Sequence, residues 1–437
     1  MLSLSRTLLA WSAAALGLSG CLAPTDTAPP TPGPGQVVDC LCVPPPVSAP
    51  GELLHAEQAR ILVPVATDAE VAALVEANTD FGVDVYRQSP RGQNLFFSPY
   101  SITQALGMVY VGARGETERQ MARALRFALA QERLHPAMNT LDQALQVRPE
   151  LEGAPRLHAV NALWGQRGSA FEYGFLDVLA RQYGAGLRAV DFTSEPRALR
   201  ERINAWVEDQ THGRIRELLA PEAVTPSTRL VLVNALDFAG AWSTPFSPDG
   251  TGDAPFHLLE GGTRTVRMMS GGSGSRMTGE GFSALALSYV GGDYRLLLVL
   301  PDAGRFAEVE ARLSARFLQD VRAGLRPADL DVHLPRFQVE SALPLVPTLR
   351  ALGMEDAFED RADFSGLARG GGLSLTSVSH KGFVAVDEQG TVASAATGGA
   401  GGGTSVPEPF VVDRPFFFTL EHVRTGSVLF LGRVLAP

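Results

Sequence analysis

The most constraining feature of the sequence is a stretch near its end that lacks charge and bulk. No charged residue occurs between Glu388 and Glu408, and no proline occurs between Gly390 and Val406. Apart from two valines, residues 390–406 are all Gly, Ala, Ser or Thr. By itself this composition favours a flexible linker. However, residues 414–421 and 427–434 beyond it read as core strands of the same domain, and a long loop inside a compact domain is usually functional.

A segment that enters the middle of an existing sheet must meet three conditions. It needs a backbone N–H at every residue, no buried charge, and side chains small enough to fit between neighbouring strands. Residues 391–397 meet all three. If residues 391–404 became one strand, that strand would span roughly 46 Å at about 3.3 Å per residue. The sequence therefore predicts a loop that is able to become a strand.

The remaining composition excludes several function classes. Acidic residues outnumber basic ones by 47 to 37 and no basic stripe occurs, so nucleic acid is not an expected partner. Lys381 is the only lysine, which removes a phosphate-binding Gly-Lys-Ser/Thr loop and limits Schiff-base cofactors to one site. The sequence has no Gly-x-Ser-x-Gly, His-Glu-x-x-His or Gly-x-Gly-x-x-Gly motif, and we expect no cofactor and no metal. A hydrolase triad assembled from distant residues remains an alternative.

The N-terminus predicts export. Residues 1–20 carry Arg6 followed by an apolar run that is too short to span a bilayer stably. The run Leu18-Ser-Gly-Cys21 resembles the bacterial lipobox, which implies lipidation of Cys21 and anchoring in the cell envelope, at the outer membrane or cell surface. The alternatives are an ordinary signal peptide with a chance cysteine, and release of the protein into the medium.

Residues 21–67 are predicted to be an extended tether, because their first thirty residues are rich in proline. Cys40 and Cys42 lie within the tether at a spacing that is poor for a mutual disulfide, so we interpret them as an intermolecular or shielded pair. Residues 68–437 follow as one large domain without cysteine.

The domain is predicted to be α+β with mainly antiparallel sheets. Residues 71–86 and 102–110 carry apolar side chains at helical spacing. Residues 229–234, 294–300 and 427–432 are apolar runs of strand length. Helices early in the domain and strands late, without regular alternation, favour this class.

Several motifs resemble the serpin family, in the family's order and across the whole domain. Glu388-Gln-Gly-Thr-Val-Ala-Ser-Ala-Ala-Thr397 is similar to the hinge of inhibitory serpins. The other matching segments are Asn94-Leu-Phe-Phe-Ser-Pro-Tyr-Ser-Ile102, Val190-Asp-Phe192, Ile203-Asn-Ala-Trp-Val207, Thr211-His-Gly-Arg-Ile215, Leu232-Val-Asn-Ala-Leu-Asp-Phe-Ala-Gly-Ala-Trp242, Leu334-Pro-Arg-Phe-Gln-Val339, Leu352-Gly-Met354 and Asp413-Arg-Pro-Phe-Phe417.

The resemblance implies a serpin fold, with helices packed on three mainly antiparallel sheets and an exposed reactive-centre loop at about residues 388–409. It implies three sets of site residues. The hinge is Glu388, Gly390, Thr391, Ala393, Ser394, Ala395, Ala396 and Thr397. The shutter and breach are Ser98, Ser101, Asn234, Trp242 and His380, with Ser98 also a candidate helix N-cap before Pro99. The scissile bond is Thr404–Ser405.

The resemblance also implies a mechanism in which the protein contributes no catalytic residue and is not an enzyme. A serine protease attacks the loop, forms a covalent acyl-enzyme complex, and is carried along as the cleaved loop inserts. Thr404 lies sixteen residues after Glu388 and eleven before Pro415, the spacings of inhibitory members. A small β-branched residue there suits elastase-like or subtilisin-like proteases, and Val406 two residues on would suit them similarly. We expect a monomer.

One departure from the family pattern leaves an alternative open. Five of the six residues 398–403 are glycine, and each glycine costs roughly 0.5–1 kcal/mol relative to alanine in regular structure. Insertion of this strand would therefore release less free energy than insertion of a typical serpin loop. The alternative is a non-inhibitory serpin that acts as a protease substrate or binding protein.

Overall fold

The computed structural model describes residues 47–146, 151–391 and 407–437. In these ranges the α-helices are α1 (Asp68–Gln88), α2 (Pro99–Tyr110), α3 (Gly115–Ala124), α4 (Gln131–Leu145), α5 (Tyr173–Val178), α6 (Pro196–Gln210), α7 (Phe306–Arg312), α8 (Ala315–Gly324) and α9 (Leu345–Ala351). A π-helical turn covers Leu179–Tyr183, and a 3₁₀ turn covers Asp356–Phe358.

The strands of the described ranges are β1 (Glu52–Leu54), β2 (Leu95–Phe97), β3 (Arg156–Gln166), β4 (Ala170–Phe171), β5 (Leu187–Val190), β6 (Leu230–Ala241), β7 (Phe246–His257), β8 (Thr263–Gly271), β9 (Gly274–Gly279), β10 (Phe282–Ser288), β11 (Tyr294–Pro301), β12 (Arg326–Ala328), β13 (Leu330–Pro335), β14 (Phe337–Pro344), β15 (Ala368–Arg369), β16 (Leu375–Val386), β17 (Gly390–Thr391), β18 (Glu408–Val411), β19 (Phe416–His422) and β20 (Val428–Val434).

Three large sheets organise these strands. Sheet A has the order β1-β5-β3-β6-β17-β16-β14, sheet B the order β12-β9-β10-β11-β19-β20-β2, and sheet C the order β18-β13-β8-β7. A small two-stranded sheet joins β15 to β4. Most neighbouring strands are antiparallel, whereas β3–β5, β6–β16 and β13–β18 are parallel. The predicted α+β fold with helices on three mainly antiparallel sheets is confirmed.

Local sequence explains where the early helices begin. Thr67 caps α1 through a capping box with Glu70, which satisfies backbone N–H groups at the helix start. The side chain of Ser98 accepts from the Ser101 N–H at the start of α2, and Pro99 occupies the first helical position. Both predicted helical stretches lie inside α1 and α2.

Sheet A is buried on both faces around β6. Leu230, Leu232 and Leu236 point into the main core, which includes α2. Val231, Val233 and Ala235 alternate with them and belong to a second core beneath α6. A central strand with two covered faces reads as a nearly continuous apolar run, which is why residues 229–234 could be identified as a strand from sequence.

The compact unit that contains the sheets begins at Ser48, twenty residues before the boundary that the sequence predicted. Residues 52–54, placed in the tether by composition, form β1 and pair with β5 at the edge of sheet A. The tether assignment of 21–67 is therefore corrected for residues 48–67. Proline-rich composition does not exclude an edge strand, which needs backbone partners on one side only. Of the other unit, Met1 to Val47, only residue 47 is described.

Candidate functional site: the seam of sheet A

The seam is the boundary between β6 and β16 in sheet A. The two strands pair directly and in parallel from Leu230 and Leu375 to Leu236 and Gly382. Beyond these residues β17 lies between them, with Thr391 opposite Gly240 on one side and Val386 on the other. The first residues of the predicted loop are thus already seated as a short strand in the sheet.

Gly390 is required by its close approach to β6. A Cβ atom at this position would overlap the carbonyl oxygen of Gly240 and would lie 2.8 Å from the Cα atom of Ala241. Both are backbone atoms, so no side-chain rotation could relieve the contact. Glycine therefore allows the loop to enter the seam.

Thr391 is the second residue of β17 and is buried in the seam. Its side chain is 1% exposed, and its hydroxyl lies 2.6 Å from the hydroxyl of Tyr289. Tyr289 is fully buried and stacks on Trp242 with ring centroids 4.5 Å apart. The site that holds Thr391, which we call the seat, is therefore small, lined by aromatic rings and shielded from solvent.

Glu388 holds the chain where it enters the seam. The residue is 5% exposed, and its carboxylate accepts a hydrogen bond from the Thr251 hydroxyl and one of 2.7 Å from Arg336 Nε. Burial opposes ionisation of this carboxyl group, but the hydrogen bonds from Arg336 and Thr251 outweigh it and hold the pKa of Glu388 below its usual value. The residue is therefore an ionised anchor.

Trp242 binds the same entry segment through its backbone and its indole. Its indole Nε1 donates to the Asp387 carbonyl at 2.9 Å, and its backbone N–H donates to the Gln389 carbonyl at 2.9 Å. The N–H of Phe246 donates to the Glu388 carbonyl at 3.0 Å. The three successive carbonyls of residues 387–389 are therefore fixed by Trp242 and Phe246, which follow β6.

A polar cluster crosses the seam in its directly paired part. Asn234 on β6 accepts at Oδ1 from the Ser101 hydroxyl at 2.6 Å and from His380 Nδ1 at 2.7 Å. His380 Nε2 accepts from the Ser98 backbone N–H at 3.0 Å, so the neutral tautomer carries its proton on Nδ1. Burial lowers the pKa of His380 to about 3, which keeps the ring neutral.

The structure adds one residue to this cluster that the sequence did not indicate. Asn161 on β3 accepts a hydrogen bond from Asn234 Nδ2, which also donates to the Ser101 carbonyl at 2.9 Å. All four hydrogen-bonding positions of the Asn234 amide are thus used. A lone asparagine in a strand gives no sequence signal, and only the register that places Asn161 opposite Asn234 identifies it.

A second polar contact lies on the opposite face of the sheet, beside the seam. Lys381 on β16 donates from Nζ to the carbonyl of Arg216 at 2.8 Å, and its Nζ lies 2.5 Å from Glu340 Oε1 on β14. Arg216 belongs to the segment between α6 and β6. Separation of β6 from β16 would break the hydrogen bond between Asn234 and His380.

The remaining predicted site residues lie outside the described residues. They are Cys21, the hinge residues Ala393, Ser394, Ala395, Ala396 and Thr397, and the reactive residues Thr404 and Ser405. Across residues 47–146, 151–391 and 407–437, no group of three or more His, Cys, Asp or Glu side chains could hold a metal ion. In the same ranges no helix combines the length and apolarity needed to span a bilayer.

Comparison with known proteins agrees with this geometry. The sequence matches the family described as Serpin (serine protease inhibitor) over residues 76–437. It is similar to the leukocyte elastase inhibitor of Bos taurus, with 39% identity over 387 residues, 83% of this chain and 99% of the relative. Similar solved structures are uncleaved ovalbumin, with TM-score 0.75, 27% identity and coverage of 84% and 100% of the two chains, and the native state of the thermophilic serpin tengpin, with TM-score 0.78, 27% identity and coverage of 87% and 97%.

Proposed function

Because the chain belongs to the serpin family, we propose that it inhibits a serine protease by presenting residues 388–409 as a substrate loop and inserting the cleaved loop into sheet A. The protein acts once, as a monomer, and is not an enzyme. Its matched relatives include leukocyte elastase inhibitors, which supports protease inhibition as the activity.

The covalent step is ordinary acyl transfer that stops at the acyl-enzyme intermediate. The serine Oγ of the protease attacks the carbonyl carbon of Thr404, the Thr404–Ser405 bond breaks, and the new α-amine of Ser405 takes the proton that the protease histidine removed from the serine. An ester then joins the protease to Thr404. All catalytic groups belong to the protease, and water hydrolyses the ester unless insertion comes first.

The observation that carries this proposal is the short strand β17. Gly390 and Thr391 already pair with β6, and Thr391 pairs with β16, so insertion extends an existing strand and needs no new nucleus. Residues 392–397 are small and uncharged, as the aromatic seat around Tyr289 requires. Each further residue inserted would gain backbone hydrogen bonds to both neighbouring strands.

The target is proposed to be an elastase-like or subtilisin-like protease. Thr404 and the nearby Val406 are small, β-branched and uncharged, which suits a shallow apolar specificity pocket. A trypsin-like pocket, which carries a buried carboxylate, would leave that charge unpaired against either residue.

The test is a covalent complex. Incubation with pancreatic elastase or subtilisin should give an SDS-resistant band that contains both proteins. Mass spectrometry should show that the released peptide begins at Ser405. The same elastase with its serine already blocked is the matched control and should give no band. Complete loop cleavage by active elastase without any such band would contradict the proposed inhibition.

The glycine run at residues 398–403 favours a second candidate, a non-inhibitory serpin that is a substrate or binding protein. Insertion of a glycine-rich strand releases less free energy, because each glycine loses more backbone entropy than another residue would. Loop cleavage would then leave the melting temperature unchanged, whereas cleavage of an inhibitor of the proposed kind should raise it.

The N-terminus is proposed to anchor the protein in a bacterial cell envelope through lipid on Cys21. Two or three acyl chains suffice for stable anchoring where one is marginal. In a bacterial host, Cys21→Ser should move the protein from the membrane fraction to the soluble fraction, whereas Cys40→Ser should not. Equal fractionation of both variants would contradict lipidation.

A further inference from the structure

The arm, residues 48–61, is bound at its first half to the strands of sheet A. Glu52 and Leu54 pair with Ala189 and Leu187 of β5. The carbonyl of Pro50 accepts a hydrogen bond of 3.0 Å from the indole of Trp164, a fully buried residue of β3. This half of the arm therefore moves with β3 and β5.

The second half of the arm is bound to helices instead. Arg60 Nη2 lies 2.5 Å from Asp142 Oδ2 and donates to Asn139 Oδ1 at 2.8 Å, and both partners are on α4. The N–H of Ile61 donates to the carbonyl of Arg181 in the π-helical turn at 2.9 Å. The arm thus connects two strands to two helical elements.

The surface beneath the arm is shaped to receive it. Gly186, which precedes β5, has an ordinary negative φ, yet a Cβ atom there would lie 2.5 Å from the Leu54 carbonyl oxygen. Only the close approach of the arm explains glycine at this position. The arm also precedes residue 76, where the match to the serpin family model begins.

The arm reaches the neighbourhood of the polar cluster. Arg60 lines a cavity of about 360 Å³ together with Tyr100, Asp142 and Asn161. Tyr100 donates from its hydroxyl to Asp142 Oδ1 at 2.6 Å and follows Ser98 by two residues, and Asn161 accepts from Asn234 at the seam. One side chain of the arm therefore faces the part of the sheet that must open.

We propose that the arm is a strap that opposes the widening of sheet A, an inference that rests on the proposed strand insertion. One added strand widens a sheet by about 4.8 Å, so β6, β3 and β5 must shift relative to elements outside the sheet. Hydrogen bonds tolerate a change of only a few tenths of an ångström. The arm cannot keep its contacts to β3 and β5 and those to α4 and the π-helical turn through such a shift, so it binds the unexpanded sheet more tightly.

The experiment compares Arg60→Met with the matched control Arg91→Met in the full chain. Arg91 is an exposed arginine whose side chain makes no hydrogen bond or ion pair within the described part of the chain. Intact protein is held at a temperature where wild type converts slowly to the loop-inserted form, and conversion is followed by loss of elastase cleavage of the loop. Loss of the charge-assisted hydrogen bonds of Arg60 should accelerate conversion by about tenfold to a hundredfold. Arg91→Met should match wild type.

A second readout separates a strap from a merely stabilising contact. The loop-cleaved forms of wild type and Arg60→Met should unfold at the same temperature, because the arm's tight contacts belong to the unexpanded sheet. Gly186→Ala, which forces β1 away from β5 and leaves Arg60 intact, should accelerate conversion as well and remains informative if Arg60→Met does not fold.

The outcomes distinguish the strap from the proposed function. The strap would be overturned, and the proposed insertion left intact, if Arg60→Met and Gly186→Ala both converted at the wild-type rate. Equal destabilisation of the intact and cleaved forms of Arg60→Met would have the same consequence. A wild-type protein that gains no heat resistance on loop cleavage would overturn the proposed insertion, and the strap with it.

Discussion

Replacement of Thr391 by arginine tests whether the seam accepts the loop. Thr391 is 1% exposed between β6 and β16, and its hydroxyl is the hydrogen-bond partner of the buried Tyr289 hydroxyl. An unpaired buried charge costs about 3–5 kcal/mol. A buried hydroxyl that loses its partner adds about 1–3 kcal/mol. The inserted form of Thr391→Arg is therefore disfavoured by at least about 4 kcal/mol, which corresponds to about a thousandfold.

The intact protein can avoid most of this cost, because the described part of β17, Gly390–Thr391, is short and can leave the seam. The cleaved protein cannot insert residues 392–404 without first seating residue 391. We therefore expect elastase to cleave the loop of Thr391→Arg at the wild-type rate and to escape by hydrolysis. Titration of a fixed amount of protease should require a large excess of the variant over the amount of wild type that inhibits it.

Two controls separate charge from other effects of the substitution. Thr391→Val keeps the volume without the charge and should still form the SDS-resistant complex. Val411→Arg places the same charge on β18, where the side chain is exposed, and should behave as wild type. An SDS-resistant complex of Thr391→Arg at the wild-type yield would refute the requirement for a dry, uncharged seat.

Three further perturbations test the surrounding structure. Burial opposes ionisation of Glu421, but Arg322 and Arg295 outweigh burial and lower the pKa of this carboxyl group. The two ion pairs therefore stabilise the folded protein at pH values above the unfolded pKa near 4.5, and this stabilisation is lost as pH falls. Glu421→Gln should lower the unfolding free energy in urea by about 3 kcal/mol at pH 7. Because burial lowers the pKa of His380 to about 3, only the unfolded chain takes up this proton between pH 6.5 and 3. Stability should fall by up to about 1.4 kcal/mol per unit of decreasing pH in urea titrations, and less steeply in His380→Gln. Gly390→Ala should reduce the yield of complex with elastase, whereas Gly174→Ala, whose added Cβ meets no atom within 4 Å, should not.

Local pattern was sufficient to predict the elements that carry their own signal. The apolar spacing of 71–86 predicted α1, and the continuous apolar run 229–234 predicted the start of β6, since a strand covered on both faces has few polar residues. The composition of residues 391–397 predicted a segment able to become a strand, and the resemblance to inhibitory serpins identified it as the hinge. Gly390 and Thr391 do lie in the sheet.

Contacts between distant strands could not be predicted from the sequence in the same way. Asn161 joins the polar cluster only through its register opposite Asn234, which depends on the pairing of β3 with β6. The arm was assigned to the tether because proline dominates the preceding residues. Its binding depends on partners such as Trp164 and Asn139, about 80 to 115 residues away. No local pattern encodes such partners.

The order of events along the loop limits what the glycine run can affect. The seat at Thr391 precedes residue 398, so the run enters the sheet only after six small residues have been inserted. Its cost therefore falls on the completed strand and leaves the start of insertion unchanged. Gly398→Ala combined with Gly399→Ala should stabilise the cleaved form by about 1–2 kcal/mol in guanidinium unfolding. Because the proposed insertion follows cleavage, the intact form of the variant should unfold as the intact wild type does. Equal stabilisation of both forms would show that the run acts outside the sheet, and no change in either would show that these two residues do not enter it.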